Sequence, residues 1–349
     1  MTRLSFATPS VCSSLLPSLP PTVRDLDVPP LFRRRFVLGG YRPVGQPWRL
    51  YLQSLFQMHN DALTVWSPLL AAVVIALRFM MFTVLRGGGV LGFRLQGPEG
   101  QGLSVDVSSL PLVFYMFFTL TYLSCSAAAH LLKLHSERAH YLLFLLNNVG
   151  GAMYLYCCAS ALYLYSTDYT WTQSMLGKIF LPAAAFLCWT SCCVSCHVEV
   201  RSCWTSRFHR RLYSLTMITA TGPVAHRLTS NSWAGSPAAS LHLLQMVLSL
   251  FAAFFFSCSS PECFSPGSFD LLGHSQQLFH VLLSLCVMVQ QEALFCDFLW
   301  RRPALSRLFG EEHLLLVCNS FCWLTFCCGV TALVLSSRVW TRLTTEEEG

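Results

Sequence analysis

The sequence predicts an all-α, polytopic transmembrane bundle of seven to eight spans. Three observations carry that prediction. Hydrophobic residues make up 54% of the 349-residue chain and charged residues only 11%, where an ordinary soluble domain is about 25% charged. So small a polar remainder cannot cover the apolar surface of a water-soluble core. Mean hydropathy is +0.50. The apolar residues also fall into runs close to the roughly 20 residues that a helix needs to cross the hydrocarbon layer.

The spans read, in order, as residues 66–85, 110–132, 141–165, 179–196, 212–225, 241–258, 278–300 and 313–335. The fifth is the weakest: Thr216, Thr219, Thr221 and Gly222 dilute it, and Pro223 ends it. Its presence decides between seven spans and eight. The domain division that follows is a tail over residues 1–60, a helical bundle over 61–336 and a short polar tail over 337–349. The first twenty residues contain Leu15 and Leu16 but no continuous apolar stretch, so no signal peptide is expected there.

Basic residues set the expected orientation. Arg33, Arg34, Arg35, Arg42 and Arg49 precede the first span, Lys133 and Arg138 follow the second, and Arg201, Arg207, Arg210 and Arg211 follow the fourth. With alternating spans these groups share one side. The positive-inside rule makes that side cytoplasmic, with the N-terminus on it. Arg301, Arg302 and Arg307 follow the seventh span and fall on the opposite side, against the rule. The Arg33–Arg35 cluster can anchor the tail to anionic headgroups. The net charge of +6 is grouped as a topology signal rather than as a nucleic-acid patch, and no nucleic-acid partner is expected.

Most of the 17 cysteines lie inside apolar runs, where Cys acts as a small hydrophobe. No pair of Cys-x-x-Cys motifs has zinc-finger spacing. Cys258 and Cys263 share one loop, and their pairing stays open. Cys192, Cys193, Cys196 and Cys203 lie near the cytoplasmic end of span four, where palmitoylation is conceivable and core packing is the default, except for Cys203. Three glycines from Gly87 lack a following strand–helix unit and read as a flexible turn.

Ionisable and amide groups inside spans are costly, and so they are functional candidates. Asp61 and Thr64 precede span one at helical spacing, although an acid there can simply oppose a helix dipole. Ser126 and His130 are four apart at the end of span two, and Asn147 and Asn148 lie in span three. Gln276 and His280 are four apart at the start of span seven, while His274, six before His280, is on the wrong helical face. Parity puts all of these at one membrane face. One histidine from one helix and an i, i+4 pair from another suits zinc, but here one member of that pair is a glutamine. The plain structural reading of Asn147 and Asn148 is interhelical hydrogen bonding; in an adaptor with a retired site, Gln276 and Asn147 would bond each other and lock the helices.

Val28-Pro-Pro-Leu-Phe32, Gly39-Gly-Tyr-Arg-Pro43, Ser54-Leu-Phe-Gln57, His59-Asn-Asp-Ala, Ser126-x3-His130, Phe264-Ser-Pro-Gly-Ser-Phe-Asp270 and Gly273-His-Ser-Gln-Gln-Leu-Phe-His280 together resemble the progestin and adipoQ receptor (PAQR) family. The resemblance runs from about Val28 to span eight. It implies seven or eight spans, plasma-membrane location, response to a progestin-type steroid and G proteins as partners. Members with an intact site resemble zinc-dependent ceramidases, with three histidines on the metal and Ser and Asp around them. The matching positions are His130, Gln276 and His280, with Ser126, Asn147 and Asp61 nearby. The sequence departs from that pattern. Gln276 stands for a histidine, Asn147 for an aspartate, Thr64 for an asparagine, Pro68 for a histidine and Asp61 for a glutamate. A neutral amide is a poor zinc ligand, so weak or absent zinc and little hydrolase activity are expected. Three functions remain in play: a steroid receptor, a zinc-dependent lipid amide hydrolase and a non-catalytic membrane adaptor.

Overall fold

The computed structural model describes residues 19–85, 107–201, 206–230 and 237–348. The glycine run at Gly87, Cys203, and the side chains of Arg201, Arg207, Arg302 and Arg307 lie outside the described residues. The helices are α1 (Trp48–Gln53), α2 (Ala62–Leu85), α3 (Leu110–Leu132), α4 (Glu137–Ser166), α5 (Tyr169–Gln173), α6 (Met175–Arg201), α7 (Ser206–Ala220), α8 (Gly222–Thr229), α9 (Ala239–Ser257), α10 (Ser275–Leu308) and α11 (Glu311–Glu348). Among the described residues the only β pairing is an isolated bridge between Val23 and Tyr41. The fold is therefore an all-α polytopic bundle, as its hydropathy predicts. In lipid, helices satisfy their own backbone hydrogen bonds, which leaves few alternatives.

Among the described residues, seven helices are long and apolar enough to cross a membrane: α2, α3, α4, α6, α9, α10 and α11. The weak fifth segment of the sequence is two helices laid end to end. α7 ends at Ala220, Thr221 is non-helical, and Gly222 with Pro223 opens α8. Arg210 in α7 bonds Ser259 Oγ just past α9. Arg227 in α8 reaches the Ser166 carbonyl at the end of α4 and Asp297 late in α10. α7 and α8 thus pass from one end of the bundle to the other and supply an eighth crossing. Neither half is long or apolar enough alone, which is why hydropathy reads it weakly.

The helices extend beyond the runs that predict them. α4 starts four residues before residue 141, where Ser136 caps it by accepting the Ala139 N–H, with Glu137 in its first turn. A side-chain acceptor and an acid both suit the electropositive N-terminus. α11 continues as helix to Glu348.

α4 and α10 are the inner helices, with 61% of their most apolar stretches buried, against 22% for α2 and 28% for α9. α4 packs on α3, α6 and α11, and α10 on α9 and α2. Gly150 and Gly151 let α3 approach α4: a Cβ at Gly151 would sit 3.3 Å from the Tyr122 ring, and one at Gly150 would be 3.4 Å from the Tyr122 Cα. Small residues serve this purpose between membrane helices.

Residues 19–60 fold onto one end of the bundle. Val28, Phe32, Val37, Tyr41 and Tyr51 form a small core with Leu134. Arg42 fixes it to α3 by donating to the His130 and Leu131 carbonyls. Those carbonyls belong to the last turn of α3 and have no partners within the helix.

Candidate functional site

The site is built where α2, α3 and α10 meet the N-terminal segment. Gly40 has φ +77°, and a Cβ there would lie 2.7 Å from the Leu271 side chain. Only glycine gives both the conformation and the room. Its carbonyl accepts the Asn60 N–H at 2.9 Å. The Asn60 carbonyl in turn accepts from His274 Nε2 and Gln277 Nε2, both at 2.8 Å. The start of α10 is thereby clipped to the turn before α2. Glu262 accepts from the Ser275 N–H and hydroxyl at the N-terminus of α10, a favourable place for a carboxylate.

Asp61 is completely buried, and three cations converge on it. Arg34 Nη2 lies 2.7 Å from Oδ1, Lys133 Nζ 2.8 Å from Oδ2 and Arg42 Nη2 3.7 Å from Oδ2. Burial alone would raise the Asp61 pKa, but Lys133, Arg34 and Arg42 hold it well below the usual carboxylate range. Burial lowers Lys133 to about 8, with Asp61 opposing that shift. Burial, followed by Arg42, lowers His59 to about 3. His59 Nδ1 accepts the Asp61 N–H at 3.1 Å, so this ring nitrogen is unprotonated. Burial and then Arg34 lower His274 to about 4.

Beside this charge cluster lies a cavity of about 150 Å³ inside the bundle. α3 contributes His130, α4 contributes Asn147, and α10 contributes Gln276 and His280. The His130 and His280 rings are 4.8 Å apart, edge to face, and Gln276 Nε2 is 3.4 Å from His130 Nε2. The sequence-predicted quartet therefore meets at one place. Ser126 is buried one turn before His130 on α3. Asp61 belongs to the charge cluster next to it.

One expectation needs correction. Gln276 directs its amide nitrogen at His130, and Asn147 Oδ1 is buried with no hydrogen-bond partner, so the anticipated Gln276–Asn147 bond is not the lock between the helices. His130 and Asn147, on two different helices, compete for the one Gln276 amide, and spacing alone cannot rank them. His274, which the spacing puts on the wrong helical face, stands in a non-helical lead-in to α10 and faces Asn60 and Arg34 rather than His130.

Glu199, His209 and Tyr213 also line the cavity, and the sequence reading passed over them. Glu199 pairs with His140 at 3.0 Å, and His209 Nδ1 lies 2.9 Å from Ser195 Oγ. The apolar run of span four stops near Cys196, which hides Glu199. The available signal was an acid continuing the α6 helix opposite a histidine at the start of α7.

The donors around His130 are two imidazoles and one neutral carboxamide. Among the described residues, no three His, Cys, Asp or Glu side chains are gathered so as to hold a metal ion. Cys258 and Cys263 are both free thiols.

The sequence profile described as haemolysin-III related matches residues 56–291. The chain is 38% identical to the membrane progestin receptor beta of Homo sapiens, over 97% of this chain and 94% of that protein. It is 39% identical to the human membrane progestin receptor alpha over 95% and 92%. It is 37% identical to the membrane progestin receptor alpha of Cynoscion nebulosus over 98% and 94%.

Proposed function

The chain belongs to the haemolysin-III-related (PAQR) family, and on that premise we propose that it is a plasma-membrane receptor for a progestin-type steroid. Similarity to membrane progestin receptors along nearly the full length is the observation that carries this reading. The multi-pass bundle agrees with it, since an apolar helical assembly can enclose a flat lipophile between its spans. The reading includes a cytoplasmic N-terminus and G proteins as signalling partners. Arg301, one of the three arginines that count against that orientation, is bound at the far end, where its Nη1 donates to the Tyr165 carbonyl at 3.1 Å. Saturable binding of labelled progesterone to the purified chain in lipid is the expected result, and its absence would end the receptor reading.

The same proposal holds that zinc is weakly bound or absent and that the hydrolase chemistry of intact relatives is lost. Gln276 supports it, because a carboxamide beside His130 cannot replace an imidazole on zinc. The two imidazoles 4.8 Å apart are the feature that favours the alternative, a zinc-dependent lipid amide hydrolase. Elemental analysis separates the two readings. The native chain should carry far less than one zinc per molecule, and Gln276→His should gain it. A stoichiometric zinc in the native chain would revive the enzyme.

A further inference from the structure

The stretch just before α2 is polar on its inner side and apolar on its outer side. α1 runs on into a 3₁₀ turn over Ser54–Phe56. Tyr51 is buried, with its hydroxyl 2.8 Å from the Pro43 and Leu134 carbonyls. Ser54 Oγ accepts from Arg42 at 3.0 Å and donates to the Tyr51 carbonyl at 2.7 Å. Trp48, Leu52 and Phe56, each four residues from the next, are 53%, 40% and 73% exposed. Helical residues at that spacing are neighbours, so the three make one apolar stripe. In water such a stripe is unfavourable.

The position of the stretch says what the stripe meets. Leu55 packs on the cluster of Val65, Ala127 and Leu131, in the first turn of α2 and the last two turns of α3. The Trp66 indole donates to the Leu55 carbonyl at 2.8 Å, and the Phe56 and Trp66 rings lie 6.1 Å apart, edge to face. Trp66 is about 6 Å along α2 from its first residue, at 1.5 Å per residue. The stretch therefore folds back beside the start of a span. The outer face of α2 carries exposed Leu63, Leu70, Val74 and Leu77, and half-buried Trp66 shares it, at the spacing of one helical face. Phe56 extends that lipid-facing strip, and Leu52 and Trp48 continue it along α1.

The composition agrees with the position. No aspartate or glutamate occurs between Arg42 and Asp61, and the Arg49 guanidinium lies 5.6 Å from the Trp48 ring centre. Apolar side chains next to an indole and a cation are what the membrane–water boundary selects.

We propose that Trp48, Leu52 and Phe56 form an interfacial anchor, inserted into the leaflet on the N-terminal side where headgroups meet acyl chains. The occupant is the bilayer, because the stripe is continuous with a surface that lipid covers. Through Tyr51, Ser54 and Arg42 the anchor braces the segment that reaches Asp61 and the His130 carbonyl. The proposal requires only that α2 crosses the membrane, and it stands whichever ligand the bundle takes.

The test uses the full chain in phosphatidylcholine nanodiscs. An environment-sensitive fluorescent amino acid replaces Leu52 or Phe56 in separate variants. The same label at Leu70, in the lipid-facing strip, and at Thr345, near the polar end of α11, gives the lipid and water references. A lipid with a nitroxide near the top of its acyl chain should quench the labels at Leu52 and Phe56 at least about half as strongly as the label at Leu70, as expected for side chains at the headgroup–acyl boundary. Aqueous iodide should quench them at least about fivefold less than the label at Thr345. Should either position reject the label, Trp48 exchanges one large aromatic for another and gives the same reading. Iodide quenching equal to that at Thr345 would put the stripe in water and overturn the proposal. Protection from iodide without nitroxide quenching would mean that protein covers the stripe, and would overturn it equally.

Discussion

A carboxylate with three cations around it is a structural commitment. Removing the Asp61 charge strands Arg34, Arg42 and Lys133 in a buried site, and breaking a buried ion network by deleting one partner costs about 3–5 kcal/mol. Asp61→Asn should therefore lower the melting temperature in detergent sharply and reduce surface expression. Lys133→Met, which removes one surplus cation, should be tolerated far better. The reverse ranking would mean that Asp61 is not the hub. His59 gives this region a pH dependence. Its folded pKa of about 3 lies below its ordinary 6.5, and that of His274 is about 4. The unfolded chain binds the extra protons, so stability is fully present above pH 6.5 and declines as pH falls from 6.5 towards 3 or 4. The loss is roughly 1 kcal/mol per histidine for each pH unit within that window. A thermal melt series from pH 7.5 to 5 should show the decline, and His59→Asn, which keeps an acceptor for the Asp61 N–H, should flatten part of it. A flat native profile would contradict the neutral assignment of both rings.

At the scale of helices, α2 and α10 are joined by an ion pair on the bundle's outer surface. Arg78 Nε and Nη2 each lie 2.6 Å from a Glu292 carboxylate oxygen. Both residues sit about 25 Å along their helices from the end that carries Asp61 and His274, at 1.5 Å per residue. That depth is inside or close to the hydrocarbon edge, where a lone charge is expensive. Arg78→Leu or Glu292→Leu should each cost on the order of 2 kcal/mol, and the double variant should recover most of that loss. If the double change is as harmful as the two singles combined, the pair is not a mutual partnership. Much at this scale is legible in sequence, because every span is a run of one period and one composition. The match of the 110–132 run to α3 shows how much hydropathy alone carries. The α7–α8 break is only half legible: Gly222 and Pro223 announce an interruption, but whether the halves align depends on what Arg210 and Arg227 grip. The polar site is legible to the extent that helical spacing governs it. Ser126–His130 and Gln276–His280 are fixed by i, i+4 geometry, and parity brings them together. Glu199, His209 and the cations on Asp61 come from distant segments, and no local period encodes those meetings.

At the scale of the whole molecule, the two ends of the bundle carry different polar chemistry. One end holds Asp61, its three cations and the cavity beside His130. At the other, His242 Nε2 lies 2.8 Å from Asp297, which Arg227 also approaches at 3.4 Å, while Arg301 bonds the Tyr165 carbonyl. α8, α9, α10 and the end of α4 are thus tied at the far face by a compact, nearly balanced set, and the surplus positive charge stays at the near face. The crossing made by α7 and α8 then fixes the parity of the chain. Eight crossings return the C-terminal end of α11 to the side of the N-terminal segment, whereas seven would put it opposite. The loop between α9 and α10 must also lie on the N-terminal side, because Leu38 bonds Asp270 and Glu262 bonds Ser275 there. Cys258 and Cys263 in that loop are exposed. Epitope tags at the two ends of the chain should therefore become accessible together, and a membrane-impermeant maleimide should reach Cys258 and Cys263 only under the condition that exposes those tags. A C-terminal tag on the side opposite the N-terminal one would mean that α7 and α8 do not cross, and the placement of Arg227 beside Asp297 would fall with them.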